Sequence, residues 1–212
     1  MIILGIFLKL CGCKTNNPYI NHVSELRQDI YTGTFGNDTV TAYYGYCEYP
    51  FINDGKAGEP VYGYTFKLNA IADEIRRVAE LVSDNGTLSA EFKYDDVTGE
   101  YKAKIETKTH FIKEFTIDLI CGTETTKVKL TSVIPENCLN YENVLDKLAE
   151  KQKTLLAAYT VDGNFSAEIY MRVFVKNEKP FWYVGLASGN EKLKAFLIDG
   201  YSGDLLAVRD IF

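Results

Sequence analysis

Apolar and polar positions alternate along most of this chain. The pattern is cleanest where Phe115, Ile117, Leu119 and Cys121 fall on one face, and Val128, Leu130 and Ser132 on one side of the next run. A period of two is the mark of a half-buried strand. Runs of this kind recur at residues 40–49, 62–68, 88–94, 101–107, 115–121 and 127–133. Asn37-Asp38, Asn53-Asp54-Gly55, Asp84-Asn85-Gly86, residues 95–99 and Gly122-Thr123 separate them with turn chemistry. About seven or eight strands at this spacing predict an antiparallel β-sandwich rather than parallel βαβ units.

One stretch carries two signals. Ile71, Ile75, Val78 and Val82 have helical spacing, whereas Asn85-Gly86 asks for a hairpin flanked by strands. The hairpin signal is the more specific, so residues 75–82 are read as a strand.

At Ile134-Pro135-Glu136-Asn137 the pattern changes. Tyr141, Val144, Leu145, Leu148, Gln152, Leu155, Leu156 and Tyr159 share one face of a helix over residues 141–160, with Asn140 as N-cap and Asp162-Gly163-Asn164 as its stop. Strand-like runs follow at 167–176, 181–187, 193–198 and 205–211. The fold class is therefore mainly β: an N-terminal antiparallel β-sandwich and then a small α+β domain of one helix and an antiparallel meander.

A single helix covers one face of a meander. In residues 167–176 the uniformly apolar side is Ala167, Ile169, Met171, Val173 and Val175, and that side is expected under the helix. The other side mixes rings and charges in Glu168, Tyr170, Arg172, Phe174 and Lys176. Aromatic anchors beside an arginine make an interaction patch, so Tyr170, Arg172 and Phe174 are the candidate partner-binding residues. Trp182 on the neighbouring strand joins them.

Composition narrows the partners. The 212 residues carry a net charge of −6 without a basic block, the wrong sign for a phosphate backbone, so nucleic acid is not an expected partner. Fifteen Tyr and twelve Phe, with Tyr43, Tyr44, Tyr46, Tyr49, Phe51, Tyr62, Tyr64 and Phe66 in one region, raise a second reading in which an exposed tyrosine strip on the sandwich binds glycan or peptide.

The first thirteen residues add a resemblance. The apolar run from Met1 to Leu8 followed by Leu10-Cys11-Gly12-Cys13 resembles the lipobox of a bacterial lipoprotein signal, which implies lipidation at Cys13. The apolar segment falls short of the ~20 residues that span a bilayer. Only twelve residues precede Cys13, so the start is expected to lie inside a longer gene product. The implied protein is extracytoplasmic and held to the cell membrane by acyl chains, each buried methylene contributing ~0.8 kcal/mol.

A second resemblance lies at the other end. A helix, then strands, then the phrase from Ala195 to Leu206, in which a strand ends at Asp199 and Ser202-Gly203 turns the chain, resembles a PepSY-type domain. That resemblance implies an exported or membrane-attached bacterial protein in which the domain restrains a peptidase or binds a protein partner. The first half resembles immunoglobulin-like sandwiches in strand count and turn spacing. The expected organisation is signal and lipidation site at 1–13, tether at 14–25, β-sandwich at 26–136 and PepSY-like domain at 137–212.

The remaining chemistry is thin, and no catalytic, cofactor-binding or metal-binding residue is assigned. Asp95-Asp96 stands where a turn toward Gly99 is expected, and Asn53-Asp54-Gly55-Lys56 lacks the spaced oxygen ligands of a calcium loop. Residues 185–189 and 200–203 fit neither a phosphate loop nor a nucleophile elbow. Cys47 and Cys121 are read as small residues on inward strand faces, with a Cys121–Cys138 disulfide as an alternative for Cys121. The expected protein is non-enzymatic.

Overall fold

The computed structural model describes residues 17–50, 52, 54–71, 73–83, 86–188 and 192–211. A 3-10 turn (Pro18–His22) leads into β1 (Val23–Phe35), β2 (Asp38–Glu48), β3 (Pro60–Leu68), β4 (Arg77–Ser83), β5 (Gly86–Glu91), β6 (Lys93–Asp95), β7 (Glu100–Glu106), β8 (Glu114–Cys121) and β9 (Glu124–Ser132). Helices α1 (Tyr141–Lys151) and α2 (Lys153–Ala157) follow, then the short β10 (Thr160–Val161) and β11 (Asn164–Phe165). The meander is β12 (Glu168–Lys176), β13 (Lys179–Ser188), β14 (Lys192–Asp199) and β15 (Leu205–Ile211). Among the described residues strands make up 59% and helices 11%, which is the mainly-β class.

The first nine strands form a sandwich closed at both borders. One sheet runs β1-β2-β3-β7-β6, the other β5-β4-β8-β9, and β9 returns to β1. At the far border β5 and β6 are two halves of one stretch that bends at the buried Phe92, pairing first with β4 and then with β7. Tyr31, Tyr64, Phe66, Leu81, Ile117, Leu119 and Leu130 fill the interior. The strand reading of 75–82 agrees with β4. The helical spacing there is coincidental, since Ile71 and Ile75 are exposed outside the strand while Ala79 and Leu81 face the core.

β1 joins this sandwich to the second half. Its first residues pair in parallel with β12 (Val23 with Ile169, Leu26 with Met171, Arg27 with Arg172), and its later Tyr31 and Thr32 pair with β9. Residues 17–25, expected in the tether, therefore belong to the fold. Tyr19 and Ile20 pack on the second core, Val23 is buried within it, and the Asn17 amide donates to Asp146 Oδ1 at 2.7 Å. The register against β2 slips between Arg27 and Asp29, a bulge at Gln28. Opposite Arg27 stands Gly45, where a Cβ would lie 1.8 Å from the Leu26 carbonyl oxygen, so no other residue fits that approach.

The meander β12–β15 is antiparallel throughout and carries α1 and α2 on one face. Asn140 caps α1 by accepting from Asn143 N–H at 2.9 Å, as its position predicts. The expected single helix over 141–160 is broken at Gln152, whose φ of −120° and ψ of 31° leave the helical range. A polar residue stands there in the apolar stripe, and the break lets Leu148 before it and Leu156 after it both reach the core. Val144, Leu145, Ile169, Met171, Val173, Trp182 and Val184 complete that core, together with Val23, Leu26 and Ile30 from β1. No helix among the described residues is long and apolar enough to cross a membrane.

Candidate functional site

Strand alternation in β12 divides its side chains as expected. Ala167, Ile169, Met171 and Val173 are buried under the helices, and Tyr170, Arg172 and Phe174 emerge on the outer face. Sheet pairing extends that face. Arg27, Arg172 and Tyr183 form one row across β1, β12 and β13, and Tyr170 stands beside Gly185 in the next. Phe174 stacks on Phe181 with centroids 5.5 Å apart. Between these rows lies a groove of about 470 Å³, floored at Gly185 and bordered by Arg27, Tyr170, Arg172, Tyr183 and Leu193.

The two arginines are held differently. Arg172 forks onto Glu25, Nε to Oε1 at 2.8 Å and Nη2 to Oε2 at 2.7 Å, and these hydrogen bonds raise its pKa. Arg27 lies over the Tyr43 ring, 4.3 Å from its centroid, and forms no ion pair within 4 Å among the described residues. Burial, and then the neighbouring Arg172 charge, lower its pKa.

Glu168, expected on the open face, is fully buried instead. Its Oε1 accepts from the amides of Asp54 (2.8 Å) and Gly55 (3.1 Å), and its Oε2 accepts from the Tyr170 hydroxyl at 2.8 Å. Burial and then this hydrogen bond push the Tyr170 phenol up. Glu48 does the same for the other end of the loop, accepting from Gly58 N–H at 2.5 Å and Ile52 N–H at 3.3 Å. A carboxylate that satisfies several buried amides anchors a loop and leaves the outer face.

Three of the four residues expected to bind a partner thus lie together, and the fourth does not. Trp182 points to the opposite face, 2% exposed, with its indole N–H donating to the Leu139 carbonyl at 3.0 Å. Period two dictates this, because Trp182 pairs with Val173 on the helix-covered side. Tyr183, Gly185 and Leu193 line the groove and were not singled out from sequence. Their signal is the alternation of Phe181, Tyr183 and Gly185 with Trp182, Val184 and Leu186.

A second hollow of about 520 Å³ opens where the end of the sandwich meets α1, lined by Asp29, His110, Cys138, Tyr141 and Trp182 among others. His110 Nε2 lies 2.7 Å from Asp29 Oδ2, and its ring stacks on Tyr44 at 4.3 Å. Burial pushes the Cys138 thiol up, and its Sγ–H donates to the Leu139 carbonyl at 3.5 Å. Cys47, Cys121 and Cys138 are all free. Cys121 packs on the sandwich core as expected, whereas Cys47 opens to the outer surface beside Glu25 and Lys104, because odd positions of β2 face outward there.

The tyrosine-rich region mostly builds the core. Tyr31, Tyr44 and Tyr64 are buried, and their hydroxyls bond the backbone of residues 108–111: Tyr31 to the Phe111 carbonyl, Tyr44 to that of Lys108 at 3.1 Å, and Tyr64 from Phe111 N–H at 2.9 Å. Tyr43, Tyr46 and Tyr62 are half-buried and Tyr49 is exposed. Asp95 serves its turn, accepting from Val97 N–H at 2.9 Å and Lys102 Nζ at 2.5 Å. No group of three or more His, Cys, Asp or Glu among the described residues is placed to hold a metal ion. Cys13 lies outside the described residues. Comparison with protein-family models, with curated proteins and with solved structures finds no match for this chain.

Proposed function

We propose that this chain is a non-enzymatic, lipid-anchored extracytoplasmic protein of a bacterium that binds a protein partner on the outer face of its C-terminal sheet. The observation that carries the reading is the groove itself, where Tyr170, Tyr183, Phe174 and Leu193 present apolar surface around two guanidinium groups. Aromatic rings beside arginine are the usual anchors of a protein interface. Lipidation at Cys13 and the PepSY-like character of the C-terminal half rest on the sequence alone. The role they imply is interaction at the cell surface, restraint of a peptidase being one form of it. The glycan-binding alternative has less to stand on, because Tyr44 and Tyr64 are spent on the sandwich core and Tyr43, Tyr46 and Tyr62 are half-buried against the two cores.

A photo-crosslinking residue placed at Leu193 in intact cells tests the reading, with Val97, 95% exposed beyond β6, as the control position. A discrete protein adduct at 193 that is missing at 97 is expected. Equal labelling at both positions, or adducts at Tyr49 alone, would move the partner site off this face.

A further inference from the structure

Arg27 and Arg172 stand side by side in register on β1 and β12, and one carboxylate, Glu25, serves the pair. Both oxygens of Glu25 are bound by Arg172. Arg27 is left half-buried with a like charge beside it and no acid within 4 Å among the described residues, so the spot is locally cationic in a chain of net charge −6. Tyr43 covers one face of its guanidinium, and the donors of a guanidinium lie in its plane, which suits a planar acceptor.

The surroundings choose the kind of anion. The β12 amides from Ile169 to Arg172 lie between two paired strands, so that stretch presents no nest of free N–H groups for a phosphate. The Tyr170 hydroxyl already donates to Glu168, which leaves its ring, with Tyr183 and Leu193, as an apolar wall rather than a set of donors for a sugar. At Gly185 a Cβ would come 3.3 Å from the Tyr183 ring, so that ring lies over the buried glycine and forms, with Leu193, the apolar end of the groove. Arg27 and Tyr183 lie in one row two strands apart, about 10 Å from strand spacings of ~4.8 Å. In an extended peptide, an acidic residue and an apolar residue two positions on cover that span once their side chains are counted.

We infer that the groove takes an acidic side chain of an extended peptide, held by Arg27, with a nearby apolar side chain of the same peptide seated against Tyr183 and Leu193. The inference rests on the reading of this face as the partner site. The probe is the blocked pentapeptide Gly-Glu-Ser-Leu-Gly, titrated into the full chain while backbone amide resonances are followed, beside its Gln counterpart.

The acidic peptide is expected to shift amides near Tyr170, Arg172 and Gly185, and the Gln peptide to bind at least about tenfold more weakly. Arg27→Gln should cost the acidic peptide a similar factor and the Gln peptide nothing. If Arg27→Gln does not fold, the two peptides on the wild-type chain decide the matter. Equal binding of both peptides at the groove overturns the role of Arg27 while the partner-site reading stands. Absence of any shift at the groove overturns the inference whatever the crosslinking at Leu193 shows. Inorganic phosphate or a glucuronate disaccharide that shifts these amides at lower concentration than the peptide overturns it in favour of a free anion or a glycan.

Discussion

Asp73 shows how one residue pair fixes a sandwich end. Its carboxylate takes both Arg77 terminal nitrogens at 2.6 and 2.8 Å, its N–H donates to the Tyr101 hydroxyl at 2.9 Å, and Arg77 lies over the Tyr101 ring. The Arg77 hydrogen bonds hold the Asp73 carboxyl at about 2, below its ordinary 3.8. A depressed folded-state pKa contributes stability that is complete above 3.8 and is lost as pH falls through about 2. Asp73→Asn is therefore expected to lower the melting temperature at pH 7, with the gap to wild type closing between pH 4 and pH 2. A gap that stays constant over that range would show that the pair contributes no pH-linked stability. Nothing in the sequence marks this pair, because Arg77 becomes a buried cation only once β4 brings it against β7. Tyr170, Arg172 and Phe174 were legible for the opposite reason: alternation alone decides the face on which they emerge.

Elements were readable wherever the period of two ran unbroken, as in β8, β9, β12 and β13. β1 was not, because the bulge at Gln28 shifts its inward set from Leu26 to Asp29 and Tyr31, so that neither face reads as uniformly apolar. With β1 unread, Arg27 and its share of the groove went unseen. The burial of Glu168 was hidden in the same way, since its partners lie 113 and 114 residues away in the loop after β2. That contact gives an element-scale test. Glu168→Ala would leave two amides and the Tyr170 hydroxyl without their acceptor, and about 2–4 kcal/mol of stability is expected to be lost. Glu168→Gln keeps an oxygen for the amides and can donate to the Tyr170 oxygen, so its loss should stay below about 1 kcal/mol. Urea midpoints at unchanged slope measure both. Equal losses for the two variants would mean that the loop does not depend on this latch.

The described residues form two hydrophobic cores, and one strand is common to both. The second core takes Val23, Leu26 and Ile30 from β1 and rests on Tyr43 and Tyr46 of β2, all of them more than ninety positions before α1. Cutting after Glu136 would leave residues 137–212 with β12 as an open edge and its apolar face short of those side chains. A unit of that size has little surplus burial to absorb the loss. Residues 137–212 alone are therefore expected to show no cooperative melt and a solvent-exposed Trp182, while the full chain unfolds in one transition seen alike by circular dichroism and Trp182 emission. Adding a separate 1–136 fragment should restore a buried Trp182, because β1 can then pair with β12. If 137–212 by itself melts cooperatively with Trp182 shielded, the boundary at 136 is a true folding boundary. The groove would then lie across an interface between two docked domains, and Arg27 would reach it only while they stay docked.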